Sequence, residues 1–150
     1  IHTEVYKYSI DDLFQKGYKC DLIILNDVLE HFSKDEAINL LNKFKLILNK
    51  NARLIITVPN MGNPFSQSDY WHDYTHINGF NDSSLKQILQ LTEYSVINVL
   101  SNMYLENNLK NNIRKPFRNI LAYIISILFG WRLSDIYYGT KITGIAKYEG

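Results

Sequence analysis

Two continuous apolar segments separated by a helix-like pattern constrain the fold more than any other feature of this sequence. Residues 21–25 read Asp-Leu-Ile-Ile-Leu, and residues 53–58 read Arg-Leu-Ile-Ile-Thr-Val before Pro59. Neither segment alternates between apolar and polar residues. Such runs are typical of strands that are buried on both faces of a parallel sheet.

The segment between these runs has the pattern of an amphipathic helix. Ser33 and Glu36 are spaced for a capping box at its start. Asn51, which tolerates a left-handed conformation, is expected to end the helix. Apolar residues recur at helical spacing and form one stripe: Ala37, Leu40, Leu41, Phe44 and Leu48. Strand, helix and strand predict a βαβ unit, and hence an α/β fold with a mostly parallel sheet.

The remaining elements are less regular. Residues 60–80 form a long loop, which in a compact domain is usually functional or disordered, and its aromatic residues argue against disorder. The later pattern predicts, in chain order, a helix capped by Asp82, Ser83 and Ser84, a strand over 94–100, a mobile polar excursion over 102–112, a helix over 117–130 opened by Pro116, and a closing strand over 141–148.

Composition narrows the classes of function. The 150 residues suit one domain, and 16 basic residues nearly balance 15 acidic ones, so no nucleic-acid partner is expected. Cys20 is the only cysteine, which excludes an intramolecular disulfide and favours a reducing, cytoplasmic location. The chain begins with Ile and has no signal-peptide pattern, so we expect it to be an excerpt of a longer protein.

Polar residues follow both predicted strands. Residues 26–31 (Asn-Asp-Val-Leu-Glu-His) come directly after the first strand, and the loop 60–80 follows the second. In open α/β sheets, ligands bind beyond the carboxyl ends of the strands. The alternative is that Asn26 and Asp27 form an ordinary turn, and that Glu30 and His31 only lead into the helix cap.

At this point the sequence resembles a known family. Residues 21–32 resemble the fourth-strand motif of class I S-adenosylmethionine-dependent methyltransferases of the small-molecule and glycan type, and residues 48–60 resemble the family's helix end, turn and fifth strand with its terminal Pro-Asn. The stretch 73–76, with Phe80 and Ser84-Leu85, is similar to methyltransferases from surface-polysaccharide clusters. The resemblance covers residues 1–100, and extends to the closing strand.

The resemblance implies a Rossmann-like class I methyltransferase fold that is N-terminally incomplete. Residues 1–150 would form a partial domain with a core over 1–100, a helical insertion over about 102–135 and a closing strand over about 141–148. The family's first strand and glycine-rich loop have no counterpart among these residues. The implied cofactor is S-adenosylmethionine. The residues expected to bind it are Asn26, Asp27, Val28, Glu30 and His31, with Asp11, at the end of the first extended segment, near the adenine.

A hydroxyl acceptor would be a poor nucleophile until it loses its proton, and a histidine with an ordinary pKa of about 6.5 is a suitable base. His76 and His72 are the candidate bases, and Asp73 could orient either ring. The alternative is that His76 is structural and bonds a loop carbonyl. Four residues are expected to contact the acceptor: Asn60, Tyr70, Trp71 and Tyr74. His72, Asp73 and His76 also suit a metal site, but they supply only three local ligands, so no metal is expected.

The apolar run 120–129 is shorter than the roughly 20 residues that span a bilayer. The simpler interpretation is a helix packed on the sheet or at a homodimer contact. The alternative is an interfacial helix over 114–133 that rests on an anionic membrane surface. That helix would have basic residues at its ends: Arg114, Lys115, Arg118 and Arg132.

The predicted function is O-methylation of a sugar or glycan-linked metabolite, as in polysaccharide biosynthesis. The alternative is a truncated, non-catalytic methyltransferase-like module that binds or scaffolds a partner. Because a sheet that lacks its neighbouring strand exposes a raw edge, residues 1–150 alone are expected to be unstable or to pair with another chain.

Overall fold

Helices and strands alternate along the chain in the computed structural model, which describes residues 9–63, 66–101, 109–130 and 139–150. The elements are α1 (Ile10–Gln15), β1 (Cys20–Asn26), a 3-10 helix (Leu29–His31), α2 (Lys34–Phe44), β2 (Leu48–Pro59), α3 (Gln67–Trp71), α4 (Asp82–Leu91), β3 (Ser95–Ser101), α5 (Leu109–Phe129) and β4 (Lys141–Lys147). Four predicted features lie wholly or partly outside the described residues. They are the first extended segment (1–8), part of the long loop (64–65), part of the polar excursion (102–108) and the end of the helical insertion (131–138).

The sheet has the strand order β1-β2-β4-β3. β1 pairs with β2 in parallel, while β4 pairs antiparallel with both β2 and β3. β1, β2 and β3 therefore run in one direction and β4 runs against them. The predicted βαβ unit and the α/β class are confirmed, but the sheet is only partly parallel because the closing strand enters in the opposite direction.

The predicted start of α2 is confirmed, whereas its end is not. The Ser33 side chain accepts a hydrogen bond from the Glu36 amide, and the Glu36 carboxylate accepts from the Ser33 amide. The helix ends at Phe44, however, and Leu48 already belongs to β2, where it pairs with Cys20. Sheet pairing thus overrides the helical spacing of Leu48. Asn51 does take the left-handed conformation (φ 65°), but it lies within β2.

The core lies where α2 and α4 cover the centre of the sheet. β2 and β4 supply its middle, because they are the two inner strands and most of their apolar side chains are buried. The fully buried members include Leu41, Leu54, Ile56, Val58, Leu85, Leu89 and Ile142. α4 is capped by Asn81 rather than by Asp82, since the Asn81 side chain accepts from the Ser84 amide.

β1 differs from the expectation of a strand buried on both faces. Leu25 is buried, but Leu22 is 47% exposed and Ile24 is 60% exposed. β1 is an outer strand of the described sheet, with β2 as its neighbour. The apolar run therefore predicted the strand correctly, but nothing in the described ranges covers its outward face.

α5 also differs from the sequence prediction. It begins at Leu109, so Pro116 lies inside it and residues 109–112 are helical rather than part of a polar excursion. Among its described side chains Ala122 is buried, while the large apolar ones are exposed: Ile113, Phe117, Ile120, Leu121, Tyr123, Ile124, Ile127, Leu128 and Phe129. The prediction that this helix packs on the sheet is therefore wrong. Within the described ranges, no helix combines the length and apolarity needed to cross a bilayer.

The close contact between β4 and α4 depends on Gly144. A Cβ atom added there would lie 3.1 Å from Cδ2 and 3.3 Å from Cγ of Leu85. We expect Gly144→Val to lower the free energy of unfolding by about 1–3 kcal/mol, because overpacking forces neighbouring side chains or backbone to shift. Chemical denaturation measures the change. Lys147→Val, on the same strand, is the control and should stay within about 0.5 kcal/mol of the wild type; equal effects of the two would contradict this account.

Candidate active site

The parallel strands β1 and β2 end at the same edge of the sheet. Asn26 lies opposite Thr57, and the Asp27 amide donates to the Thr57 carbonyl at 3.0 Å. The two polar regions that follow these strands therefore meet beside a cavity of about 350 Å³. It is lined by Asp27, His31, Pro59, Asp73, His76, Thr140 and Lys141.

Asp27 turns the chain away from β1 and presents a carboxylate to the cavity. Its φ of 52° is in the left-handed region, which Asp tolerates better than most residues. Its Oδ2 pairs with Nζ of Lys141, at the start of β4, and accepts from Nδ2 of Asn26 at 3.3 Å. Oδ1 is buried and has no hydrogen-bond partner within the described part of the chain. This oxygen is therefore available to a bound cation or donor.

Main-chain hydrogen bonds hold the loop after α3 against the 3-10 helix. The Glu30 carbonyl accepts from the amides of Ile77 and Asn78, both at 3.0 Å. These two bonds bring the preceding residue, His76, next to the residues that follow β1. The loop and the end of β1 therefore form one structural unit.

A hydroxyl links the imidazole of His31 to a carboxylate. Oγ1 of Thr75 lies 2.9 Å from Nδ1 of His31 and donates to Oδ1 of Asp73 at 2.6 Å. Because a hydroxyl has a single proton to donate, it must accept from Nδ1 of His31. The hydrogen bonds from Thr75 lower the pKa of Asp73. Because Nδ1 of His31 carries the proton, Nε2 carries the lone pair of the neutral ring.

Glu30 has an unusual environment for a carboxyl group. Its side chain is completely buried, and neither carboxylate oxygen has a hydrogen-bond partner among the described residues. Oε1 lies 3.8 Å from Nε2 of His76. Burial raises the pKa of Glu30, because desolvation disfavours the charged form. Such a group is costly to bury unless something outside the described chain compensates it.

His76 is held in one orientation from several sides. Nδ1 lies 2.8 Å from the Tyr70 carbonyl, which can only accept, so Nδ1 must donate. The neutral ring then carries its lone pair on Nε2, 3.8 Å from Glu30 and 3.9 Å from Oδ2 of Asp73. The ring also packs 4.7 Å from that of His31 and 4.9 Å from that of Tyr70, between centroids. The bond to the carbonyl agrees with the structural alternative, but it also directs Nε2 toward the acidic residues.

The four predicted site residues in α3 and the turn after it differ in their exposure to solvent. Tyr70 is buried, with its ring against Trp71 and His76, so it does not offer a face to a ligand. Trp71 and Tyr74 are 68% and 99% exposed and do offer one. His72 is exposed and does not line the cavity.

Four other residues that were predicted to bind a ligand do not themselves line the cavity: Asn60, Asp11, Asn26 and Val28. Asn60 is completely buried, donates to the Gly139 carbonyl and accepts from the Gly62 amide, so its side chain orders the loop. Asp11 is in the first turn of α1, not in an extended segment, and pairs with Lys43 near the end of α2 at 3.1 Å. Asn26 is the last residue of β1, and the half-buried Val28 precedes the 3-10 helix.

Sequence reasoning missed Thr75, Thr140 and Lys141. Lys141 opens the predicted closing strand, and a strand that enters antiparallel beside β2 begins at the edge where β2 ends. The order and direction of the strands place Lys141 at the cavity, and neither can be read from local pattern. Thr75 lies inside the stretch 73–76, but a threonine hydroxyl alone does not indicate a functional role in the sequence.

The geometry predicts the tautomer of His76. At a pH where the ring is neutral, ¹⁵N NMR should show a protonated Nδ1 and an unprotonated Nε2, because the Tyr70 carbonyl needs a donor. Comparison with His76→Gln, which lacks the ring, assigns these signals to His76. A proton on Nε2 of His76 would contradict the assigned hydrogen bond.

Comparison with known proteins agrees with this architecture. Residues 3–99 match the family model described as a methyltransferase domain. No curated protein sequence is significantly similar to the chain. Many solved structures share its fold, and three of them serve as examples. The first is a SAM-dependent methyltransferase from Archaeoglobus fulgidus (17% identity, 95% of this chain, TM-score 0.61).

The second is an O-methyltransferase family protein from Burkholderia thailandensis (14% identity, 98% of this chain, TM-score 0.56). The third is an O-methyltransferase family 2 protein from Planctomyces limnophilus in complex with apigenin (10% identity, 86% of this chain, TM-score 0.51). The chain spans 66%, 36% and 30% of these structures, less than two thirds of each. At such identities they show the fold alone, but the family match covers more than half of the sequence: the chain belongs to the methyltransferase domain family.

Proposed function

We propose that the protein transfers a methyl group from S-adenosylmethionine to a hydroxyl of a sugar or glycan-linked metabolite, as in polysaccharide biosynthesis. The observation that carries the proposal is the cavity at the carboxyl ends of β1 and β2, where Asp27, His31, Asp73 and His76 meet. Ligands of open α/β sheets bind at this kind of edge.

The residues at this edge fit a cationic cofactor. S-Adenosylmethionine carries an ammonium and a sulfonium, and the sulfonium supplies the methyl group. The Asp27 carboxylate has one buried oxygen without a partner in the described chain, which suits a positive charge. Asn26, Val28, Glu30 and His31 continue the same turn and shape the pocket. Asp11 is a weaker candidate for the adenine, since it pairs with Lys43.

The acceptor side of the cavity would lie toward α3. Trp71 and Tyr74 expose aromatic faces on which a sugar ring can pack. Two of the compared structures are named O-methyltransferases, one of them in complex with apigenin, and this supports a hydroxyl acceptor. We assign activation of that hydroxyl to Nε2 of His76, beside Asp73, rather than to the exposed His72.

Calorimetric titration with S-adenosylhomocysteine tests the proposal. The protein at its full natural length should bind this product, and Asp27→Asn should weaken binding at least about tenfold, because a charge-assisted contact is lost. Asn tolerates the left-handed backbone at this position, so the turn is preserved. Asp35→Asn, on the exposed first turn of α2, is the matched control and should bind like the wild type. A folded protein that binds no S-adenosylhomocysteine would support the non-catalytic binding module instead.

We propose further that α5 rests on an anionic membrane surface, which would suit an enzyme of lipid-linked glycans. Its apolar side chains are exposed, so they need a partner. Residues 109–133 contain five basic residues and no acidic one. This charge favours anionic lipid headgroups over a second copy of the same basic helix.

Vesicle cosedimentation tests this contact. The protein should bind vesicles that contain phosphatidylglycerol and should bind less as salt rises, because screening weakens the attraction to the headgroups. Leu128→Glu on α5 should weaken binding, whereas Leu91→Glu, the same change on α4, should not. Absence of vesicle binding together with a concentration-dependent dimer in analytical ultracentrifugation would favour a homodimer contact.

A further inference from the structure

Three side chains beside the cavity have the composition of a metal site. One potential ligand atom from each of Glu30, His31 and His76 lies within 4.8 Å of the other two. His31 and His76 line the cavity, and Glu30 is completely buried next to them. Two segments that are 45 positions apart, counted from His31 to His76, thus converge on one small volume.

The buried carboxylate needs a partner that the described chain does not provide. Both oxygens of Glu30 lack a hydrogen bond within the described ranges, and Nε2 of His76 lies at 3.8 Å from Oε1, beyond hydrogen-bond distance. A buried carboxylate without a partner is strongly disfavoured, whereas a bound cation removes that cost. The arrangement is therefore explained by an ion bound between these residues.

The second nitrogen of each ring is held as in known metal sites. Nδ1 of His76 donates to the Tyr70 carbonyl. Nδ1 of His31 donates to the Thr75 hydroxyl, which in turn donates to Oδ1 of Asp73. Metal-ligating histidines usually donate their other N–H to a carbonyl or carboxylate, which fixes the tautomer and the ring orientation. His76 meets that requirement directly, and His31 meets it through the Thr75 hydroxyl, which leaves the Nε2 lone pair of each neutral ring free of these bonds.

We propose that Glu30, His31 and His76 bind a divalent first-row transition-metal ion. Two imidazoles and one carboxylate suit such ions better than Mg²⁺ or Ca²⁺, which prefer oxygen ligands. Bonds of about 2.1 Å place neighbouring ligand atoms about 3.0–3.4 Å apart, so ligand atoms that lie up to 4.8 Å apart close by up to about 1.4–1.8 Å on binding.

This ligand set differs from the alternative of His72, Asp73 and His76 that the sequence pattern offers. His72 is exposed and does not line the cavity. Asp73 bonds Thr75 and orients His31 instead of serving as a main ligand. Glu30 and His31, in the 3-10 helix that follows β1, are ligands in their place. His72 is therefore a matched control for His76.

The use of the ion follows from its position. Three protein ligands leave coordination positions open, as in catalytic metal sites. These positions would face the cavity that Asp27 and Lys141 also line. An acceptor hydroxyl bound there would become more acidic and could lose its proton to solvent. In the metal-bound protein this would replace direct proton transfer to Nε2 of His76, which would hold the ion instead. Ion binding stands on the three side chains alone, and this use of it rests on the proposed function.

Titration with Co²⁺, followed by calorimetry and by the visible absorption of the ion, tests the site. The protein at its full natural length, stripped with a chelator, should bind one Co²⁺ per chain and bind Mg²⁺ much more weakly. Glu30→Gln and His76→Gln should each weaken Co²⁺ binding at least about tenfold. His72→Gln should bind like the wild type. Circular dichroism establishes that each variant is folded, and His31→Gln replaces Glu30→Gln if the latter does not fold.

The outcomes separate this inference from the proposed function. A folded protein that binds S-adenosylhomocysteine but not Co²⁺ would overturn the metal site and leave the methyltransferase proposal standing. Co²⁺ binding without S-adenosylhomocysteine binding would support the site and count against the proposed function. Co²⁺ binding that survives both Glu30→Gln and His76→Gln, or that is lost in His72→Gln, would overturn the assigned ligands.

Discussion

The parallel pairing of β1 with β2 is the constraint on which the rest of this structure depends. It sets Asn26 opposite Thr57, so both strands release the chain at the same edge of the sheet. A shift of one residue in this register would turn every side chain of β1 to the other face. The buried apolar residues of β2 prevent such a shift, because they must face the helices that cover the sheet.

Convergence at that edge creates an electrostatic problem that the protein resolves only in part. Asp27, Glu30 and Asp73 lie close together, and Asp27 raises the pKa of Glu30 further by its charge. Lys141 neutralises Asp27 from β4, and Thr75 stabilises the charged form of Asp73. Glu30 is less well compensated, because its carboxylate oxygens have no hydrogen-bond partner in the described chain and only weaker effects, among them the nearby His76 and His31, oppose the rise of its pKa. A cation bound there would therefore stabilise the folded state.

The orientation of the two histidines is a tertiary property. His31 follows β1 and His76 lies in the loop after β2, so their rings meet only because the Glu30 carbonyl holds Ile77 and Asn78. A motif search finds only two separate histidines and does not indicate that their rings are in contact. The hydrogen bonds to Nδ1 then decide which nitrogen of each ring is basic, and this decides whether the pair can act on an acceptor or an ion. None of these bonds has a sequence signature.

Local pattern was sufficient wherever one interaction dominates. The apolar runs predicted β1 and β2, Ser33 and Glu36 predicted the start of α2, and the position of polar residues after each strand predicted the edge where Asp27, Asp73 and His76 meet. Pattern failed where distant partners compete. Leu48 fits the helix stripe but pairs with Cys20. The contact of Asn60 with an acceptor stays a prediction, and its side chain also bonds the Gly139 carbonyl and the Gly62 amide.

By itself, then, the sequence determined the strands, the capped helix and the set of polar residues at one edge, because periodicity and capping act over a few neighbouring residues. Only the tertiary structure decided that β4 enters antiparallel and brings Lys141 to Asp27, that Glu30 is buried without a partner in the described chain, and that Tyr70 faces His76 rather than a ligand. These outcomes depend on contacts between residues far apart along the chain. Their energies are set by burial and strand order, which no local pattern encodes.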